Sequence, residues 1–165
     1  MQTQKVAITR ADGGVSIMSF VVEGRGDALP SGAVWFGGGN WVREPNDENI
    51  QSEVAKSVPD HVSWRRITDA EIPADRTYRD ALADDGKALS HDMAKAREIQ
   101  REQLRHERAG IFPSLDADWM KAVGQGKADE AAAIEATRQA LRDAPADPRI
   151  EAARTTDDLK TVVLP

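Results

Sequence analysis

Residues 5–22 read KVAITRADGGVSIMSFVV, and this stretch decides how the front of the chain folds. Val6 and Ile8 alternate with polar or small neighbours, Asp12-Gly13-Gly14 supplies the positive-φ residues of a tight turn, and Val15 to Val22 returns as a second strand. Working outward, GRGDALPSGA at 24–33 combines Gly, Pro and Ser and reads as a loop. Ala33 to Phe36 and Asn40 to Arg43 flank Gly37-Gly38-Gly39, which predicts a second, shorter hairpin carrying Trp35, Phe36 and Trp41. Asn46 or Asp47 is placed to cap a short helix with Ile50, Val54 and Val58 on one face, ended by Pro59. Val62 to Ile67 forms a last strand, with Val62, Trp64 and Arg66 on one side, a poor apolar face unless Trp64 anchors it.

Beyond this β-rich part the composition changes. Asp69 to Asp85 is acidic, interrupted by Pro73 and punctuated by Ile72, Tyr78 and Leu82, so it reads as an ordered connector with a turn of helix around Thr77 to Ala83. Ser90 is expected to cap a helix from about His91 to Ala109, whose apolar stripe is narrow: Met93, Ala96, Ile99 and Leu104. Glu98, Arg101, Glu102 and Arg105 form its solvated face. Gly110 and Pro113 predict a break, followed by a shorter helix capped by Ser114 with Leu115, Trp119 and Val123 in line, ended at Gly124 and Gly126. Asp129 opens another helix on which Ile134, Arg138 and Leu141 share a face, and Ala131, Ala132, Ala133 and Ala136 let a neighbour approach closely. Pro145 and Pro148 close it. Thr155 to Leu164 forms a capped turn or two. The expectation is an α+β chain: a β-rich region over 1–68, an acidic connector over 69–89, and a helical hairpin or small helical bundle over 90–165.

Composition limits how much this chain buries alone. Alanine accounts for 25 of the 165 residues, and Leu, Ile, Val and Phe together for 32, about 19%, just under the level at which disorder competes with folding. A net charge of −6 is too small to drive the chain open by self-repulsion. The core is therefore thin, and further burial against other subunits, including a homo-oligomer, is expected. No apolar run approaches the ~18 residues of a membrane span, and MQTQKVAITR lacks the basic-then-apolar order of a secretory signal, so the chain reads as soluble with no membrane partner. A sequence pI near 5.1 with both signs interspersed gives no general attraction to nucleic acid.

The residues that carry chemistry do not converge. With no Cys there is neither a thiol nucleophile nor a Cys-type zinc site. His61, His91 and His106 lack partners at ligand spacing, and Ser63, Ser90 and Ser114 lack a G-x-S-x-G setting. Asp69, Glu71, Asp75, Asp80, Asp84 and Asp85 are dense enough to raise calcium, but the D-x-[DN]-x-[DN]-G spacing is missing, and a solvated acidic stretch is the better reading. Gly37-Gly38-Gly39 has no Walker surroundings and reads as a hairpin turn; Arg25-Gly26-Asp27 is discounted as a chance tripeptide. The basic residues of 95–108 are interrupted by Glu98, Glu102 and Glu107, with no aromatic interleaved. No catalytic residue, metal or cofactor is predicted. The four Trp residues are the strongest remaining signal: Trp64 and Trp119 fit core positions, whereas Trp35 and Trp41 beside the glycine loop are candidate partner anchors.

Two stretches carry a resemblance. Trp64-Arg65-Arg66-Ile67, followed by Ile72-Pro73-Ala74-Asp75-Arg76-Thr77-Tyr78-Arg79-Asp80-Ala81-Leu82, resembles the "DRTFRNAW" segment of small proteins in tail gene clusters of tailed bacteriophages. Arg101 to Arg108, Leu115-Asp116, Trp119 and Arg138-Gln139-Ala140-Leu141-Arg142-Asp143-Ala144-Pro145 are similar to the "RQALRDIP" region of phage tail-fibre assembly and tail-associated proteins. Tyr78, Asp80 and Leu82 stand where that pattern has Phe, Asn and Trp. The resemblance covers roughly residues 60–165 and implies a non-enzymatic tail-module protein that binds tail-fibre or baseplate subunits, as a retained virion component or an assembly chaperone, found in the virion tail or the bacterial host cytoplasm. In that role Trp35 and Trp41 are the candidate anchors, while Arg138, Leu141, Arg142 and Asp143 organise the helical region that meets the partner. The alternatives are a small phage regulator binding a host protein, or a tail-associated hydrolase drawing its acid and base from carboxylates such as Glu44, Glu71 or Asp75.

Overall fold

A computed structural model describes residues 3–165, and the chain is α+β, with antiparallel sheets in its first half and helices in its second. It divides into two compact units, Met1–Ser90 and His91–Pro165.

The first unit is built on the predicted hairpin. Strand β1 (Gln4–Arg10) pairs antiparallel with β2 (Val15–Phe20), and Gly13 in the connecting turn has φ 73°, a value that favours glycine. Asp12 Oδ1 accepts from the Gly14 N–H at 2.7 Å and fixes the turn. β1 is the central strand of a three-stranded sheet whose other edge, in the order β2-β1-β6, is β6 (His61–Ile67). Val6 and Ile8 point to one face, where they bury Ile50 and Val54 of helix α1 (Asp47–Ser57) with Met18, Phe20, Val58 and Trp64 around them. Trp64 is thus the anchor that the β6 face required. Arg66, beside it on that face, bonds Gln4, Asp47 and the Pro45 carbonyl at 2.8–2.9 Å and ties the start of α1 to the sheet. Asn46 caps α1 reciprocally with Asn49, satisfying an N–H that the helix leaves open.

The opposite face of the sheet corrects the reading of residues 69–89 as a separate connector. They lie inside the first unit. Ala7, Val15 and Ile67 pack there with Leu82, flanked by Ile17, Ile72 and Leu89. The apolar punctuation of the acidic stretch is therefore a second core layer, held by a 3₁₀ turn at Arg79–Ala81 and a small hairpin of β7 (Leu82–Asp84) and β8 (Leu89–His91). His91 closes this hairpin; it does not begin the next helix.

Between β2 and α1 the chain inserts a second three-stranded sheet. Strands β3 (Val22–Arg25), β4 (Ala33–Gly37) and β5 (Asn40–Arg43) are antiparallel in the order β3-β5-β4. Part of the expected loop at 24–33 is therefore strand, and the predicted second strand ends at Phe20, with β3 resuming from Val22.

In the second unit, α2 (Met93–Gly124) is one helix of 32 residues, where a break at Gly110 and Pro113 was expected. Its N-cap is Asp92, which accepts from the Ala94 and Lys95 N–H groups at 2.9 and 3.2 Å, and not Ser90. Pro113 removes one helical hydrogen bond. Helix α3 (Ala128–Asp143), packed along α2, bridges the weak point: Arg108 donates to the Arg142 carbonyl at 2.7 Å before Pro113, and Asp116 pairs with Arg138 at 2.8 Å after it. A 3₁₀ turn (Ala144–Ala146) and short helices α4 (Pro148–Ala152) and α5 (Thr156–Lys160) then run back to α2. Pro148 closes nothing here; it opens α4, a position where its missing N–H costs nothing. Leu104, Leu141, Ile150, Leu159 and Val162 are buried. Gln100, also buried, donates to the Val162 carbonyl at 2.7 Å, and Arg97 to the Ala153 carbonyl at 2.8 Å.

Candidate functional site

The inserted sheet has no core of its own. None of the residues of β3, β4 and β5 is buried, although Ala33-Val34-Trp35-Phe36 is an apolar run. Leu29, Val34, Trp35 and Phe36 are 43, 55, 42 and 60% exposed, which leaves several large apolar side chains facing solvent. Its turn is glycine by necessity, because Gly37, Gly38 and Gly39 have φ of 119°, 59° and 74°.

Trp35 and Trp41, the two candidate anchors, are brought together as cross-strand partners of β4 and β5, and Gly24 of β3 is paired with Trp41 on its other side. A Cβ added at Gly24 would meet Trp41 Cζ2 at 2.2 Å and both of its bonded ring neighbours at 2.7 Å. With both bonded neighbours only slightly farther away than Cζ2 itself, the indole meets the glycine by its face and not by its edge. Trp41 therefore lies flat on the sheet and is half-buried, whereas Trp35 beside it is more open. Arg43 links this sheet to α1 through Asn49 at 3.3 Å.

The helical candidates behave differently. Leu141 is a core residue at 1% exposure, which corrects its candidacy as a contact: no partner reaches it without opening the unit. Arg138 stacks over Trp119, 5.5 Å from the ring centroid, and pairs with Asp116 at 2.8 Å and Glu135 at 2.5 Å; its charge is spent holding α2 to α3. Arg142 bonds Glu135 and Gln139, and Asp143 accepts from Gln139 at 2.9 Å. Arg142 and Asp143 stay exposed on α3, but these four residues do not converge on an open face. The bonds of Arg138, Arg142 and Asp143 run within the unit itself.

Among the carboxylates, Glu71 accepts from Arg65 at 2.6 Å and from the Thr68 N–H and hydroxyl at 2.7 and 3.0 Å. The Arg65 bond, then the two Thr68 bonds, hold its carboxyl down at about 2, opposite to the upward shift a general acid needs. Arg65 also forks onto Asp84 at 3.0 Å, and Asp75 accepts from Thr77 at 2.7 and 2.8 Å. Among the described residues no group of three His, Asp or Glu side chains is placed to hold a metal, and no helix is long and apolar enough to cross a membrane.

The features that sequence reasoning undervalued are Val34, Phe36 and Gly24. The signal for the first two was present, because four apolar residues in succession do not alternate as a half-buried strand does. The class that fold and site define is an α+β chain displaying an apolar, edge-exposed sheet. Comparison with protein-family models, curated proteins and solved structures finds no match.

Proposed function

We propose that this chain is a non-enzymatic tail-module protein of a tailed bacteriophage that binds tail-fibre or baseplate subunits, either retained in the virion tail or acting in the host cytoplasm as an assembly chaperone. The observation that carries the binding role is the inserted sheet, which buries none of its residues and exposes Val34, Trp35 and Phe36. The tail assignment rests on the likeness of residues 60–165 to tail-associated segments. Tyr78, Leu82 and Leu141 within those segments are buried, which supports reading them as packing motifs and leaves recognition to the sheet.

The test is mass spectrometry of purified particles together with co-migration of the chain with fibre protein on a sizing column. A fixed integer ratio to fibre or baseplate subunits is expected for a structural part; co-migration with absence from particles is expected for a chaperone. Absence from particles together with a failure to co-migrate would sink the proposal. Trp35→Ala is expected to weaken association by about tenfold or more, the scale of an aromatic anchor, while leaving melting nearly unchanged.

A further inference from the structure

We propose that the free edge of β4 pairs with a second copy of this chain, strand against strand, about a two-fold axis at Trp35. The backbone points there. The Ala33 N–H turns back to the Pro30 carbonyl at 3.0 Å, so Ala33 does not donate across to Arg43. Antiparallel pairs alternate between bonded and non-bonded, so Val34 and Val42 form the bonded pair, and the N–H and C=O of Trp35 face away from β5. β4 ends the sheet order, which leaves these groups on an open edge.

The two edges of this sheet are treated differently. β3 carries Glu23 and Arg25, charges of the kind that protect an edge from adding strands. β4, Ala33-Val34-Trp35-Phe36-Gly37, carries no charge and no proline. Charge selects the occupant: a two-fold interface sets each central residue against its own copy, and a neutral strand meets itself without like-charge repulsion. Pairing about this axis sets the two Trp35 side chains side by side on one face of the sheet, while Leu29 lies outside the strand, so the area covered is small and fits a reversible pair. The axis stands perpendicular to the sheet, so the product is six-stranded, with both copies of Trp35 and Trp41 on the same face.

The experiment is sedimentation equilibrium of the full chain, with circular dichroism to confirm folding. The wild-type mass is expected to rise from 18.0 kDa toward twice that value with concentration. Trp35→Lys and Trp35→Glu are each expected to stay single, because two like charges meet at the axis, and an equimolar mixture of the two is expected to pair again. Met120→Lys, on an exposed residue of α2, should change nothing. A wild type that stays single at millimolar concentration, pairing that survives Trp35→Lys, or a mixture that does not re-pair overturns the proposal. If a charged variant loses its sheet, Trp35→Cys in this cysteine-free chain decides instead: oxidation is expected to link two copies through that one position, and failure to link overturns it. The inference does not rest on the tail reading. A chain that pairs but ignores fibre protein removes the function and keeps the edge; one that binds fibre but stays single does the reverse.

Discussion

Gly24 and Trp41 show how one missing side chain positions another. With a Cβ at 24 the indole could not lie where it does, so Gly24→Val should lift Trp41 off the sheet. The expected cost is about 1–3 kcal/mol, as for overpacking, visible as loss of near-ultraviolet dichroism; an unchanged spectrum would show that the indole has another seat. At Glu71 the consequence is a pH dependence. Its carboxyl is held at about 2 against an ordinary 4.5, so its bonds to Arg65 and Thr68 stabilise the fold fully above about 4.5 and are lost as the pH falls toward 2. Glu98, Glu135 and Asp158 are lowered as well, chiefly by hydrogen bonds from Arg105, Arg142 and the Arg154 N–H respectively, and act in the same direction. Melting of wild type and Glu71→Gln followed from pH 7 to 2 should show a gap that closes on acidification. A gap that stays constant would mean that charge on Glu71 is not what stabilises.

Individual elements explain why parts of this fold were legible in the sequence and others were not. The β1–β2 hairpin, the Asn46 cap and the Ile50–Val54 stripe of α1 are local, with turn residue, cap and period all inside one short window. The layer formed by Leu82, Ile72 and Leu89 is not, because its partner is Ala7, whose small side chain gives no periodic signal until the 69–89 segment covers it. α2 failed for the opposite reason. Gly110 and Pro113 are sound local reasons to stop a helix, and α3 overrides them by holding both sides of the weak point. Pro113→Ala should therefore raise stability of the helical unit by about 1–3 kcal/mol, recovering one hydrogen bond and relieving the ring clash. A fall in melting temperature would mean that Pro113 is needed for a bend. Of the candidate site, Trp35 and Trp41 were legible beside their glycine turn. Leu141 was misjudged because a residue on an amphipathic stripe looks the same in sequence whether it faces a partner or its own core.

Across the whole molecule, the two units secure themselves by different means. The first buries both faces of its main sheet and leaves the inserted one open. The second closes only when its last residues come back to its first helix, through Gln100 with Val162, Arg97 with Ala153 and the buried Leu159. Removing residues 156–165 should take away the Val162 carbonyl that Gln100 bonds, together with the buried Leu159 and Val162 side chains that cover α2. The expected result is a large loss of helical dichroism in this unit, with the signal of the sheets retained; a truncated chain of full helicity would show the return segment to be dispensable. That closure also bears on the order of events during synthesis. A ribosome makes α2 well before it makes Val162, so the nascent helix leaves the exit tunnel with its seam unzipped. It stays so until some forty residues later, counting from Gly124 to Val162, when its clasp arrives. During that interval the sheet unit, complete by Ser90, is free to fold first, and the helical half is the segment with which a chaperone or a sister chain has time to engage.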